Sequence, residues 1–157
     1  MPLIHVPNAG EVLMCDFEGF KPPEMVKTRR VVVVSPRPRR GYPGTYIIVP
    51  ISKTPPLPPS ACHREFSPRS YAFLHATESV WAKADMVCCV ASTRLDRMTV
   101  GSRYCHCELR KDDLEAIKRC VLHALGMRDW RQVIETPKQY FPEVLRGKPG
   151  LPATNKA

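Results

Sequence analysis

The sequence predicts a small, mainly β protein, a compact barrel or sandwich, with one helix near its C-terminal end. Three observations carry this. Short runs rich in β-branched and aromatic residues recur at fairly even spacing, and Pro- and Gly-rich segments separate them. A single later stretch repeats its apolar residues at helical period instead. Proline marks the boundaries: the chain has 17, against about 8 expected from average usage. They cluster at 22–23, 36–43, 55–59 and from 137 onward.

The first predicted strand is 11–17, apolar with charged ends and preceded by Gly10. Residues 30–35 form a second, whose nearly continuous valines read as a strand buried on both faces. A third spans 45–49 and is closed by Pro50. Weaker strand signals lie at 71–74, 80–83, 86–90 and 103–108. From 112 to 125 the pattern changes: Leu114, Ile117, Val121, Ala124 and Leu125 fall on one helical face. Asp112 and Asp113 occupy the first turn, where the helix dipole favours negative charge, and Gly126 follows as a stop. The organisation expected is one domain over 1–130, then a Pro- and Gly-rich extended or disordered tail over 131–157.

Composition narrows the function classes. The 157 residues, 43% hydrophobic and 25% charged, suit one soluble domain with a proper core. The longest aliphatic run, 31–34, is far too short to cross a bilayer. The first residues lack the basic start and apolar stretch of a secretory signal, so a cytoplasmic protein is expected. The net charge of +9 favours polyanionic partners through long-range attraction and counterion release. Seven cysteines, at 15, 62, 88, 89, 105, 107 and 120, lack the C-x2-C pairs of most zinc sites. They read as reduced, small apolar residues, and no metal or cofactor is expected. A zinc reading would have to use Cys105, Cys107 and the Cys88-Cys89 pair.

The segment richest in chemistry runs from Glu24 through Lys27, Thr28, Arg29 and Arg30 into the valine strand. An arginine pair opening a buried strand is held by a rigid element, which suits phosphate recognition by a planar, permanently charged fork. Arg37, Arg39 and Arg40 follow in the turn, and the next strand ends at Ser52-Lys53. If the two strands pair as a hairpin, Arg29 and Ser52 share one edge of the sheet. Charge alone leaves a second reading open, a solvated basic rim that keeps the protein soluble.

These residues resemble a known family. Gly10-Glu11-Val12, then Asp16-Phe17, then Glu24 followed by Arg29 and a valine strand ending Ser35-Pro36, are similar to the PemK/MazF toxins of type II toxin–antitoxin systems. Val49-Pro50-Ile51-Ser52 matches the family's next strand, and the stretch from Val80 to Val87 resembles the one leading to its Arg-Leu pair, here Arg94-Leu95. The resemblance covers residues 10–126. It implies an SH3-like β-barrel with a packed C-terminal helix and a homodimer. It also implies metal-independent endoribonuclease activity on single-stranded RNA, often mRNA. In that chemistry the 2′-hydroxyl attacks the adjacent phosphate and leaves a 2′,3′-cyclic phosphate and a 5′-hydroxyl. Arg29 matches the catalytic arginine, Ser52 the catalytic threonine, and Glu24 an acidic residue of some members.

The remaining expectations follow from those roles. Lys27, Thr28, Arg30, Arg37, Arg39, Arg40, Lys53 and Arg94 are candidate RNA contacts, and an acidic antitoxin is the implied protein partner. The chain departs from the family in carrying Arg29-Arg30 for the usual Arg-Pro and Ser52 for Thr. A non-catalytic SH3-like module binding nucleic acid or protein is the competing reading. Trp81 and Trp130 are candidates for base stacking, with core packing as the alternative. The five histidines share no spacing.

Overall fold

The computed structural model describes residues 3, 5–36, 44–74, 77–100 and 102–127. These fall almost wholly in one compact unit, Met1–Gly126. Among them the strands are β1 (Val12–Cys15), β2 (Arg29–Val33), β3 (Thr45–Ser52), β4 (His63–Phe66) and β5 (Val80–Lys83). They continue with β6 (Cys88–Ala91), β7 (Leu95–Asp96), β8 (Met98–Val100) and β9 (Arg103–Cys105), and the chain then enters helix α1 (Lys111–Ala124). The expected fold class is what the structure has: antiparallel β with one C-terminal helix.

The main sheet runs in the order β4-β5-β3-β2-β1-β7, and β6 pairs with β3 beside it. β3 is the hub. Its residues Val49 and Pro50 pair with Val32 and Val31 of β2, Thr45 to Ile48 pair with β6, and Ile51 and Ser52 pair with β5. Pro50 lies inside β3 instead of closing it. Having no N–H, it cannot donate to the ladder. Beyond it β3 leaves β2 for β5, and the sheet bends there.

Two cores form because side chains alternate along each strand. Val12, Val32, Val49 and Ile51 pack on one face with Ala82, Leu114 and Ile117. Leu13, Val31, Val33 and Ile48 pack on the other with Phe17, Val90 and Leu95. Successive valines of β2 therefore enter different cores, which is why their run is continuous. The expectation of a strand buried on both faces holds.

The helix buries Leu114, Ile117 and Cys120, with Val121 packed alongside. Leu125, placed on the apolar stripe by its spacing, is instead 62% exposed. It sits just past the last helical residue, and Gly126 then turns the chain with φ 78°. Asp113 does more than complement the dipole. Its buried carboxylate accepts hydrogen bonds from Arg64, Tyr71 and Arg110, tying α1 to β4 and to the turn at 71–74. That turn was expected as a strand, but Leu74 N–H donates back to the Tyr71 carbonyl. β4, whose sequence is HREF, has no apolar alternation to announce it.

Gly10 ends the approach to β1 at φ 95°. A β-carbon there would make only an ordinary contact, 3.4 Å from Leu114 Cδ2, so it is the backbone sign that favours glycine. Its N–H donates to Val33 and its carbonyl accepts from Leu109, joining β1, β2 and the segment entering α1. The next residue, Glu11, is buried, accepting from Asn8 N–H at 3.2 Å and bonding His5 Nε2 at 2.6 Å.

Candidate functional site

Arg29 is the first residue of β2 and Ser52 the last of β3. The two strands are antiparallel with Val33 opposite Ile48, Val32 opposite Val49 and Val31 opposite Pro50. The recorded pairing ends at Val31 and Pro50, and Arg29 and Ser52 lie two residues beyond it at the adjoining strand ends, where β3 turns to β5. Both lie on the side away from the helix core, because Ile51 and Val32 point into it. Beside Ser52 the next strand presents Trp81, its direct cross-strand partner on β5, and Trp81 is in turn opposite Glu65 on β4. Ser52, Trp81 and Glu65 thus form one row across β3, β5 and β4, and Arg29 stands at the start of β2, the strand from which β3 departs.

Arg29 and Ser52 are half-buried. The Arg29 guanidinium donates to the Thr28 carbonyl at 3.4 Å, a long bond that commits little of its donor capacity. Ser52 Oγ accepts the Thr54 N–H at 3.1 Å. That bond fixes the rotamer through a local turn and leaves the hydroxyl proton to donate elsewhere. Trp81 is half-buried and Glu65 exposed.

Glu24 behaves differently from what its spacing to Arg29 suggested. Its Oε2 accepts the Lys21 N–H at 2.8 Å while its own N–H donates to the Lys21 carbonyl, so it staples the 21–24 turn. It makes no hydrogen bond or ion pair with Arg29 and does not orient it. The carboxylate does border a groove of about 470 Å³ formed with Phe17, Phe20, Pro50, Met86 and Cys88. Pro50 is two residues before Ser52 and on the same face, so this groove adjoins the row. Burial pushes the Cys88 thiol up, and the neighbouring Cys89 and Glu24 push the same way.

The other expected contacts divide. Lys27 and Thr28 are exposed beside Arg29, and Lys53, exposed beside Ser52, pairs at 3.7 Å with exposed Glu78. Arg30 lies on the opposite face from Arg29, since neighbouring strand residues alternate. It is cross-strand to Met14, and its Nε is buried without a partner. Its position in β2 removes it from the row. Arg94 is occupied: it donates to the carbonyls of Asp16 and Glu18 at 3.1 and 2.8 Å, and its guanidinium lies 5.4 Å from the Phe20 ring centroid. It also lines a polar cleft of about 360 Å³ with Thr28, Arg97 and Tyr104. Arg37, Arg39, Arg40 and Trp130 lie outside the described residues, as does the segment 131–157.

Sequence reading assigned no role beside Ser52 to Trp81, and none to Glu65. Nothing in their spacing announces either, because the row exists only through strand pairing. All seven cysteines are free. Among the described residues no group of three or more His, Cys, Asp or Glu is placed to hold a metal ion. No described helix is long and apolar enough to cross a membrane.

Solved structures share this fold. The toxin MazF-mt6 of Mycobacterium tuberculosis is 14% identical, covering 76% of this chain and 99% of its own, with a TM-score of 0.54. MazF of Deinococcus radiodurans is 22% identical, covering 78% of this chain and 99% of its own, at 0.57. An endoribonuclease from a mycobacterial species, solved with its cognate antitoxin, is 19% identical over 79% of this chain and 98% of its own, at 0.54. No curated protein matches the sequence. At these identities the structures establish the fold, and the sequence itself supplies the family. Its residues 8–125 match the profile of the PemK-like, MazF-like toxins of type II toxin–antitoxin systems, and the chain belongs to that family.

Proposed function

We propose that this protein is an endoribonuclease that cuts single-stranded RNA at a phosphate held between Arg29 and Ser52. The observation that supports the reading is that Arg29 opens β2 and Ser52 ends the antiparallel β3, both half-buried and both on the side away from the helix core. The relative from a mycobacterial species is named an endoribonuclease, which supports it.

The chemistry follows from the substrate. The RNA 2′-oxygen attacks the adjacent phosphorus, the bond to the 5′-oxygen breaks, and a 2′,3′-cyclic phosphate and a 5′-hydroxyl result. The nucleophile belongs to the RNA, so the reaction as proposed is metal-independent. Negative charge grows on the non-bridging oxygens, where a fixed guanidinium stabilises the transition state more than the ground state. The Ser52 hydroxyl, already oriented by Thr54, donates to the same phosphate. Glu24, with Oε2 on the Lys21 amide, offers Oε1 to accept the 2′-hydroxyl proton. The leaving 5′-oxygen takes a proton from that acid or from water. Lys27, Lys53 and the overall charge of +9 guide the RNA backbone.

The partner we propose is an acidic antitoxin that covers the row and the adjoining groove. MazF of Deinococcus radiodurans was solved with MazE, and the mycobacterial endoribonuclease with its antitoxin. A homodimer acting in the cytoplasm completes the reading. The test is purified protein with single-stranded RNA in EDTA. Cleavage leaving 5′-hydroxyl ends, lost in Arg29→Ala, is expected. Salt-sensitive binding with intact RNA would overturn the enzyme in favour of a non-catalytic binding module.

A further inference from the structure

The row does not end at Ser52. Ser52 stands opposite Trp81, and Trp81 opposite Glu65, with no residue slipped between them. Directly paired residues project from the same face. β5 alternates buried Val80 and Ala82 with half-buried Trp81 and Lys83, so the indole lies on the outer side with Ser52. Neighbouring strands are about 4.8 Å apart. The indole therefore lies one strand beyond the hydroxyl proposed to hold the phosphate, and an exposed carboxylate follows one strand beyond the indole.

Their chemistry is complementary to a nucleotide in the same order. A phosphate needs fixed donors, which Arg29 and Ser52 supply. A base needs a π-face and an edge partner. Trp81 offers the first, since aromatic side chains stack bases of any sequence. Glu65 offers the second, an ionised carboxylate that only accepts hydrogen bonds. It rewards a base edge that donates, as cytosine N4 and adenine N6 do, and rejects the O4 acceptor of uracil. Without a base edge to read, a carboxylate here would only repel the RNA backbone.

We infer that Trp81 and Glu65 form the subsite for the base flanking the scissile phosphate, Trp81 stacking on it and Glu65 selecting bases that carry an exocyclic amine. This inference rests on the endoribonuclease reading.

Two measurements test it separately from that reading. The first uses a Trp130→Phe background, in which Trp81 is the sole tryptophan. A single-stranded oligonucleotide with 2′-deoxy residues, which cannot be cleaved, should quench its fluorescence on binding. Trp81→Ala should bind it about 10- to 100-fold more weakly, with Trp81→Phe retaining most of the affinity. The second sequences the cleavage products of a mixed RNA pool. Glu65→Gln, which adds N–H donors, should raise the share of products cut beside uracil relative to those cut beside cytosine or adenine. Unchanged fluorescence and affinity, or an unchanged cleavage profile in Glu65→Gln, overturns the subsite and leaves the endoribonuclease standing. Wild-type protein that binds and cuts no RNA overturns both. Thermal melting of each variant confirms that it is folded, and the exposed Glu65→Gln carries the test if Trp81→Ala is not.

Discussion

Asp113, in the first turn of the helix, accepts a 2.8 Å hydrogen bond from Arg64 on β4, an edge strand of the main sheet. The Tyr71 hydroxyl donates to the same carboxylate and accepts the Arg110 N–H at 2.9 Å. The carboxylate is buried with 5% of the residue exposed, and the Arg110 guanidinium, which donates to it at 3.1 Å, completes its set of partners. Arg64 itself remains half-exposed, which limits the strength of the pair.

Asp113→Ala should therefore lower folding stability by about 2 kcal/mol, the cost of stranding the Tyr71 hydroxyl and breaking a partly buried pair. Chemical denaturation measures it. Tyr71→Phe should cost about 1 kcal/mol on the same grounds.

The same carboxylate gives a pH dependence. Burial raises its pKa, but hydrogen bonds from Tyr71, Arg64 and Arg110 together outweigh burial and hold it below the ordinary aspartate value. A depressed folded pKa means that the unfolded chain binds protons first as pH falls. The contribution is fully present above the unfolded value of about 3.9 and is lost on acidification through the folded one. Denaturation midpoints recorded from pH 6 to pH 2 should fall less steeply in Asp113→Asn than in the wild type.

Arg29→Ala should reduce kcat about 100- to 1,000-fold, the usual effect of removing one donor from a developing oxyanion. Arg29→Lys should recover only part of this, because an ammonium lacks the planar fork. Ser52→Ala should lose activity while Ser52→Thr keeps it, since the hydroxyl is what the site uses. Single-turnover cleavage of a labelled RNA reads all four.

Thiol reactivity should follow burial. Cys15 and Cys107 are fully buried, and burial first of all pushes their thiols up to about 12. Almost none of either is thiolate at pH 8. Cys89 is exposed on β6. Timed maleimide labelling with peptide mapping should find Cys89 modified first and Cys15 and Cys107 last. Rapid labelling of Cys107 would contradict its burial in the helix core.

A core substitution checks the helix docking. Ile117, with 0% exposure, joins α1 to the core that holds Val12, Val32 and Val49. Ile117→Ala should cost about 2–5 kcal/mol through lost burial and the cavity left behind.

The sequence by itself determined what local chemistry determines. Valines without interruption at 31–34 reported a strand buried twice over, and the helical period from Leu114 to Val121 reported the packed face. Gly126 marked the helix stop, because only a residue free of a β-carbon takes positive φ cheaply. That β2 and β3 pair antiparallel, bringing the start of one towards the end of the other, was legible through hairpin topology alone. Other features had no local signal. β4 reads HREF, a polar edge strand without alternation, and Glu24 was captured by its own turn rather than by Arg29. Tertiary structure alone decided which residues stand beside Ser52. Pro50 withholds its N–H, β3 leaves β2 for β5, and that exchange of partners sets Trp81 against Ser52 and Glu65 against Trp81. Strand pairing between segments distant in sequence leaves no periodicity in either one, so the row became visible only in the folded chain.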